Sequence, residues 1–205
     1  MMTGLRARQK ADKNRRILQA AAQLFHTVGY DAARLEDIAQ LAEVSVGTFY
    51  NYFENKGDLL LASVSMEVEE VIASGQAVIK APPPDVAEAL ARLITTYFDH
   101  SLTYISKEMW RTAMALSIQQ PATPFSRRYT ALDGMLRDQV CALIARLQEN
   151  GHARPDVDAR AIGEMIFNNL NLMFTEFAKN DAMPLATLID LVTRQNAPLA
   201  TLLHV

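Results

Sequence analysis

Between Ser45 and Tyr52 the chain gathers two short hydroxyls, an amide and two phenols, on Ser45, Thr48, Asn51, Tyr50 and Tyr52, with Val46 and Gly47 among them. These groups exchange hydrogen bonds, and a valine offers a methyl surface. Such a set suits phosphate oxygens, base edges and thymine methyls. The residues of bond-breaking chemistry are not assembled anywhere. His26, His100, His152 and His204 are scattered, and Cys141 is the lone cysteine. There is no glycine-rich phosphate loop, no G-x-S-x-G, no H-E-x-x-H, and no evident Ser/His/Asp or Cys/His pairing. No enzyme activity, metal site or cofactor is therefore expected. Cys141, beside Val140, Ala142 and Leu143, is most simply a buried apolar residue.

The elements that position the 45–52 segment follow from periodicity. Ile17, Ala21, Leu24, Phe25 and Val28 fall on one stripe of a 3.6-residue helix, which Gly29 ends as a left-handed cap. Leu35, Ile38, Ala39 and Ala42 mark a helix of about two turns, and Ser45 caps a third that runs to about Tyr52. Two short helices joined by Glu43-Val44-Ser45 have the dimensions of a helix-turn-helix. Val44 and Phe49 are expected to pin the pair to Leu24 and Phe25, while Phe49 and Phe53 fill the inward face. Asn55 caps a long fourth helix that must stop before Pro82-Pro83-Pro84. Further breakers place helices at about 85–100, 102–119, 125–149, 157–179 and 184–203. No stretch alternates as a strand, so the fold class is all-α.

Composition agrees with a soluble globular chain. Of 205 residues 50% are hydrophobic and 21% charged, enough apolar mass for a core, and no run of about 18 uncharged apolar residues proposes a membrane span. No secretory signal opens the chain, and a cytoplasmic protein is expected. The formal net charge of −3 hides a basic start: Arg6, Arg8, Lys10, Lys13, Arg15 and Arg16 stand there with Asp12 as their one acid. Such an arm either settles on phosphates or frays in solvent, and solvation is the commoner fate.

The segments RILQAAAQLFHTVGYDA (16–32), Asp37-Ile38-Ala39 and VSVGTFYNYFENKGDLL (44–60) resemble the N-terminal domain of the TetR family of bacterial transcriptional regulators, over residues 13–62. The resemblance implies a homodimer. Each N-terminal three-helix domain (1–55) would read one half of a near-palindromic operator, and the C-terminal helical domain (56–205) would bind an effector and pair the subunits. It also implies DNA contacts, largely to the backbone, by Thr48, Tyr50 and Lys56, with Gly47 allowing close approach and Tyr52 nearby. Three departures bear on the operator. Val46 replaces a frequent lysine or arginine, Glu43 stands where a small residue or glycine is usual, and Arg34 occupies a position often held by a capping serine or threonine.

Beyond residue 63 the residues themselves must speak. Ile162, Met165, Ile166, Leu170, Met173, Phe174 and Phe177, with Ala161 and Leu172 extending the stripe, give the helix at 157–179 more apolar surface than one core face needs, which suits a subunit interface with 184–203, the other reading being a central helix buried within its own subunit. Tyr97, Phe98, Tyr104, Met109, Trp110, Met114, Met165, Asn169 and Met173 mix aromatic, thioether and amide groups on helices expected to enclose an adaptable, largely apolar effector pocket. Plain core is the competing reading for each of them. Arg111, Arg127 and Arg128 are read as surface arginines. The expected function is a ligand-responsive repressor that binds double-stranded operator DNA as a homodimer and is released by a small effector. The alternative is a helical ligand-binding or protein-interaction module without specific DNA binding.

Overall fold

The structure is a computed structural model that describes residues 2–205, with side chains from residue 8 onward. Arg6 of the basic arm thus lies outside the described side chains. Among the described residues there are nine helices and no strand: α1 Met2–Val28, α2 Leu35–Leu41, α3 Val46–Tyr50, α4 Lys56–Lys80, α5 Val86–Asp99, α6 Lys107–Gln119, α7 Pro124–Glu149, α8 Ala159–Lys179 and α9 Leu185–Leu203.

Local chemistry sets most boundaries. Gly29 at φ +84° ends α1, its amide still donating to Phe25 O at 3.1 Å. Asp85 caps α5 by accepting from Glu88 N, and Asp158 caps α8 by accepting from Arg160 N and Ala161 N. Two expectations need correction. The basic start is not a separate arm, because α1 runs unbroken from Met2. The helix expected from 102 begins instead at Lys107, since Ser106 accepts from Met109 N and Ser101 and Thr103 close turns before it.

The helices sort into two compact units. The first holds the chain up to Met66 together with Tyr104–Tyr129, so α6 packs in the same unit as α1, α2 and α3. Its core buries Ile17, Phe25, Ile38, Phe49, Leu59 and Met109. A Cβ on Gly29 would stand 3.4 Å from Glu108 Oε2, which places α6 against the end of α1.

The second unit holds Glu67–Thr103 and Thr130–Val205, with α9 packed on both α5 and α8. Leu93, Leu143, Leu147, Ile166, Phe177 and Leu188 form its centre. Helices α7 and α8 approach closely at Gly163, where a Cβ would stand 2.7 Å from both Cα and Sγ of Cys141. Burial pushes the Cys141 thiol up, and its Sγ lies 3.6 Å from Arg160 O, so this cysteine is packing material.

Asp133 on α7 adds a pH dependence to this unit. Burial raises its carboxyl to about 6, against the opposing hydrogen bond from Asn171. Because the folded value lies above the unfolded one, the neutral carboxyl suits the fold below about pH 4, and that contribution is lost as pH rises through about 6. Asp133→Asn is therefore expected to raise the unfolding free energy by about 2 kcal/mol at pH 7.5 and to leave it unchanged at pH 4. Denaturant titrations at the two pH values check this.

Candidate nucleic-acid interface

The geometry of the α2–α3 pair begins with its turn. Ala42 N donates to Ile38 O and Val44 N to Ala39 O, both within 3.0 Å, and Glu43 between them adopts φ +52°. Arg16 reaches across from α1 to hold this turn. Its Nη2 donates to Ala42 O at 2.6 Å and Glu43 O at 3.3 Å, and it meets Glu43 Oε2 at 3.0 Å.

On α3, Phe49 is buried and Phe53 just beyond it is buried as well, their rings 5.9 Å apart, so the inward face is filled by these two phenylalanines. The helix proper ends at Tyr50, shorter than the run to Tyr52 read from sequence. The turn continues through Tyr52 N and Phe53 N, which both donate to Phe49 O.

What faces outward is Val46, 44% exposed, and Tyr50, 46% exposed, together with Gly47 and Asn51. A Cβ placed on Gly47 would meet no atom within 4 Å. The glycine is therefore not required by packing inside the chain, and the space above it is open.

Ser45 is first a cap. Its Oγ accepts from Thr48 N at 3.1 Å and donates to Thr48 Oγ1 at 2.8 Å. That bond leaves the Thr48 hydroxyl proton directed elsewhere, able to donate to an outside acceptor such as a phosphate oxygen. Arg34 sits at the N-cap position of α2 with an extended backbone and no side-chain cap bond. Its side chain is 72% exposed, with Nε 3.7 Å from Glu36 Oε2. Tyr52 is half-buried.

Lys56 is placed differently from the role implied by resemblance. Its Nζ donates to Tyr30 O at 2.8 Å and Asp31 O at 2.6 Å, 5.3 Å from the centroid of the Tyr30 ring. It ties the start of α4 to the loop after α1, with one N–H remaining for any further partner. Along α1, Arg8, Lys10, Lys13 and Arg15 are exposed, and Arg15 pairs with Asp12 at 3.1 Å. The residue that sequence reading missed is Arg16 in its clamp on the turn. It lies 27 residues from Glu43, beyond the reach of any helical spacing rule.

The residues expected to line an effector pocket divide between the two units. In the first, Met109 and Trp110 are buried, and Tyr104 and Met114 are half-buried. In the second, the buried Tyr97 donates to Gln139 Oε1 at 2.8 Å while Gln139 Nε2 donates to Ile72 O at 2.7 Å, which ties α4, α5 and α7. Phe98 stacks on Phe174 at 5.9 Å, Met173 packs on the core, and Asn169 Nδ2 lies 3.4 Å from Asn196 Oδ1.

Met165 does not join them. It is 55% exposed on the outer side of α8, in line with Ala161, Asn168 and Leu172, so its place is on a surface stripe. A crevice of about 50 Å³ between α5 and α9 is lined by Leu90, Ile94, Asn196 and Ala200 among others, and by none of the expected residues. Among the described residues no cluster of His, Cys, Asp or Glu is arranged to hold a metal, and no helix is long and apolar enough to cross a membrane.

Comparison with known proteins bears on this arrangement. Residues 17–63 match the model of the bacterial regulatory proteins of the tetR family. The chain is 27% identical over 201 residues to the fatty acid metabolism regulator protein of Bacillus subtilis, covering 95% of this chain and 96% of that one. Among solved structures it is similar to Thermus thermophilus FadR, a transcriptional repressor in complex with lauroyl-CoA, at TM-score 0.64 and 23% identity over 92% of this chain and 93% of that one. It is also similar to Bacillus subtilis FadR in complex with stearoyl-CoA, at TM-score 0.64 and 23% identity over 87% and 95%.

Proposed function

We propose that this chain, a ligand-responsive DNA-binding regulator of transcription whose residues 17–63 match the model of the tetR family, is a homodimeric repressor released from a near-palindromic operator by a long-chain acyl-CoA. The observation that carries the reading is the outer face of α3. Gly47 has open space above it, the Thr48 hydroxyl is oriented by Ser45, and Tyr50 stands exposed beside them while Phe49 anchors the helix from below. A face of this kind, on the second helix of a helix-turn-helix, enters a major groove, with Thr48 and Tyr50 on the backbone and Val46 and Asn51 toward base edges. Arg34 takes the phosphate contact that Val46 lacks. Residues 1–55 read DNA, residues 56–205 pair the subunits and bind the effector, and the work is done in the cytoplasm.

The effector class is taken from the relatives. The stacked Phe98 and Phe174 beside Met173 offer an acyl chain an apolar, deformable wall. Release requires the effector to bind better to a conformation in which the two α3 helices no longer fit successive grooves. Two routes serve. Helix α4 continues from one compact unit into the other, and α6, which carries Met109, Trp110 and Met114, packs in the same unit as α3. The second route was not evident from sequence.

Subunit pairing rests on α8. Met165 and Leu172, 55% and 60% exposed, share one stripe that their own subunit leaves open, and Leu202 at the end of α9 is 46% exposed. The test is selection of genomic fragments by the purified protein at moderate salt, followed by footprinting of the best one. A protected near-palindrome, lost on adding lauroyl-CoA or stearoyl-CoA, is the expected result. Salt-sensitive binding with no preferred site contradicts it and favours a helical module without specific DNA binding.

A further inference from the structure

Glu43 is, among the described residues, the one non-glycine residue at positive φ. An L side chain is disfavoured in that region, so the turn tolerates strain in order to place a carboxylate three residues before the exposed Val46. The ion pair it forms with Arg16 does little for the fold. The Glu43 side chain is 84% exposed and that of Arg16 36%, and pairs so open to water contribute little to stability. The turn itself is held without the carboxylate, because Arg16 also donates to the Ala42 and Glu43 carbonyl oxygens.

In a helix-turn-helix the turn leads directly into the N-terminus of the recognition helix, where the phosphates that border the major groove come close. An arginine anchored on two carbonyls at that point is a prepared phosphate donor, yet the carboxylate already stands on it at 3.0 Å. We infer that Glu43 is an internal brake on operator affinity, a carboxylate that occupies the Arg16 guanidinium in the place of a DNA phosphate. This rests on the DNA-binding reading given above. The brake acts toward an operator complex that an effector dissociates with a small bias.

The test measures operator affinity between 50 and 300 mM salt (about the range in which phosphate contacts change affinity most) for the wild type, Glu43→Gln, Arg16→Met and the double variant. Glu43→Gln keeps the backbone conformation and removes the charge. It is expected to tighten binding about tenfold at low salt and to steepen the slope of log affinity on log salt by about 0.9, one additional phosphate. Arg16→Met is expected to weaken binding, and the gain from Glu43→Gln is expected to vanish in its background. An equal gain in both backgrounds shows plain repulsion and overturns the brake. No gain, or an unchanged slope, overturns it also. If Arg16→Met fails to fold, the slope of Glu43→Gln alone decides. A wild type that binds its operator while all slopes agree contradicts the brake only, whereas a wild type that binds no fragment contradicts the DNA-binding reading with it.

Discussion

Gly47→Leu is expected to fold as the wild type does and to lose operator affinity by about a hundredfold or more. The two halves of this expectation come from one fact, that a Cβ at Gly47 meets no atom within 4 Å. Inside the chain the position opens on free space, and leucine favours a helix over glycine by about 0.5–1 kcal/mol, so thermal stability should hold or rise. Outside, the position lies between Val46 and Thr48 on the face proposed to meet DNA, where a branched side chain would stand between helix and backbone. Overpacking of about 3 kcal/mol at such a contact corresponds to the stated loss. Gly163 shows what a packing glycine looks like in this chain, with Cys141 atoms at 2.7 Å. Gel retardation beside a thermal melt separates the cases. Unchanged affinity would mean that the start of α3 does not press on DNA, and a lowered melting temperature would mean that Gly47 packs after all.

Leu172→Arg is expected to turn the proposed dimer into monomers at micromolar concentration. Leu172 is 60% exposed and Met165 55%, both outside the subunit's own core, which α8 already supplies through Ile166, Leu170 and Phe177. In a two-fold interface one substitution appears twice, and two facing guanidinium groups stripped of water add several kcal/mol to the cost of association, about a thousandfold or more in the dimer dissociation constant. Each monomer should retain its fold, since the position is exposed, and should bind a half-site only weakly. Sedimentation velocity on wild type and variant gives the answer. A variant that stays dimeric would move the interface off this stripe.

What the sequence made legible was local. The stripe from Ile17 to Phe25, the cap at Gly29, the inward pair Phe49 and Phe53, and the breaks at Pro82 and Pro155 are written in neighbours a few residues apart, and the helices follow them, while Val28 at the end of the stripe is 50% exposed because α1 outruns the core there. The helix expected from 102 starts at Lys107, because no proline or glycine marks the turns at Ser101 and Thr103 and Ser106 supplies the actual cap. Longer-range features were not legible at all. Nothing in the spacing of Lys56 announces that it reaches back to Tyr30 and Asp31, and nothing near Arg16 announces Glu43. Met165 illustrates a different ambiguity. A methionine on a broadly apolar helix satisfies an inward and an outward stripe equally, and packing alone places it outside. The remaining effector candidates were chosen by residue type, which marks apolar surroundings without saying which of them open to a ligand.

Central to this account is a coupling between effector and operator, and it has a direct measurement. Operator affinity is determined with and without saturating lauroyl-CoA, and lauroyl-CoA affinity with and without saturating operator, all at one salt concentration. Linkage requires each ligand to weaken the other by the same factor, about tenfold to a hundredfold for a regulator of this kind. Equal factors above one are the predicted result. Simultaneous binding with both affinities unchanged, or an operator affinity that no acyl-CoA alters, would contradict release by this class of ligand.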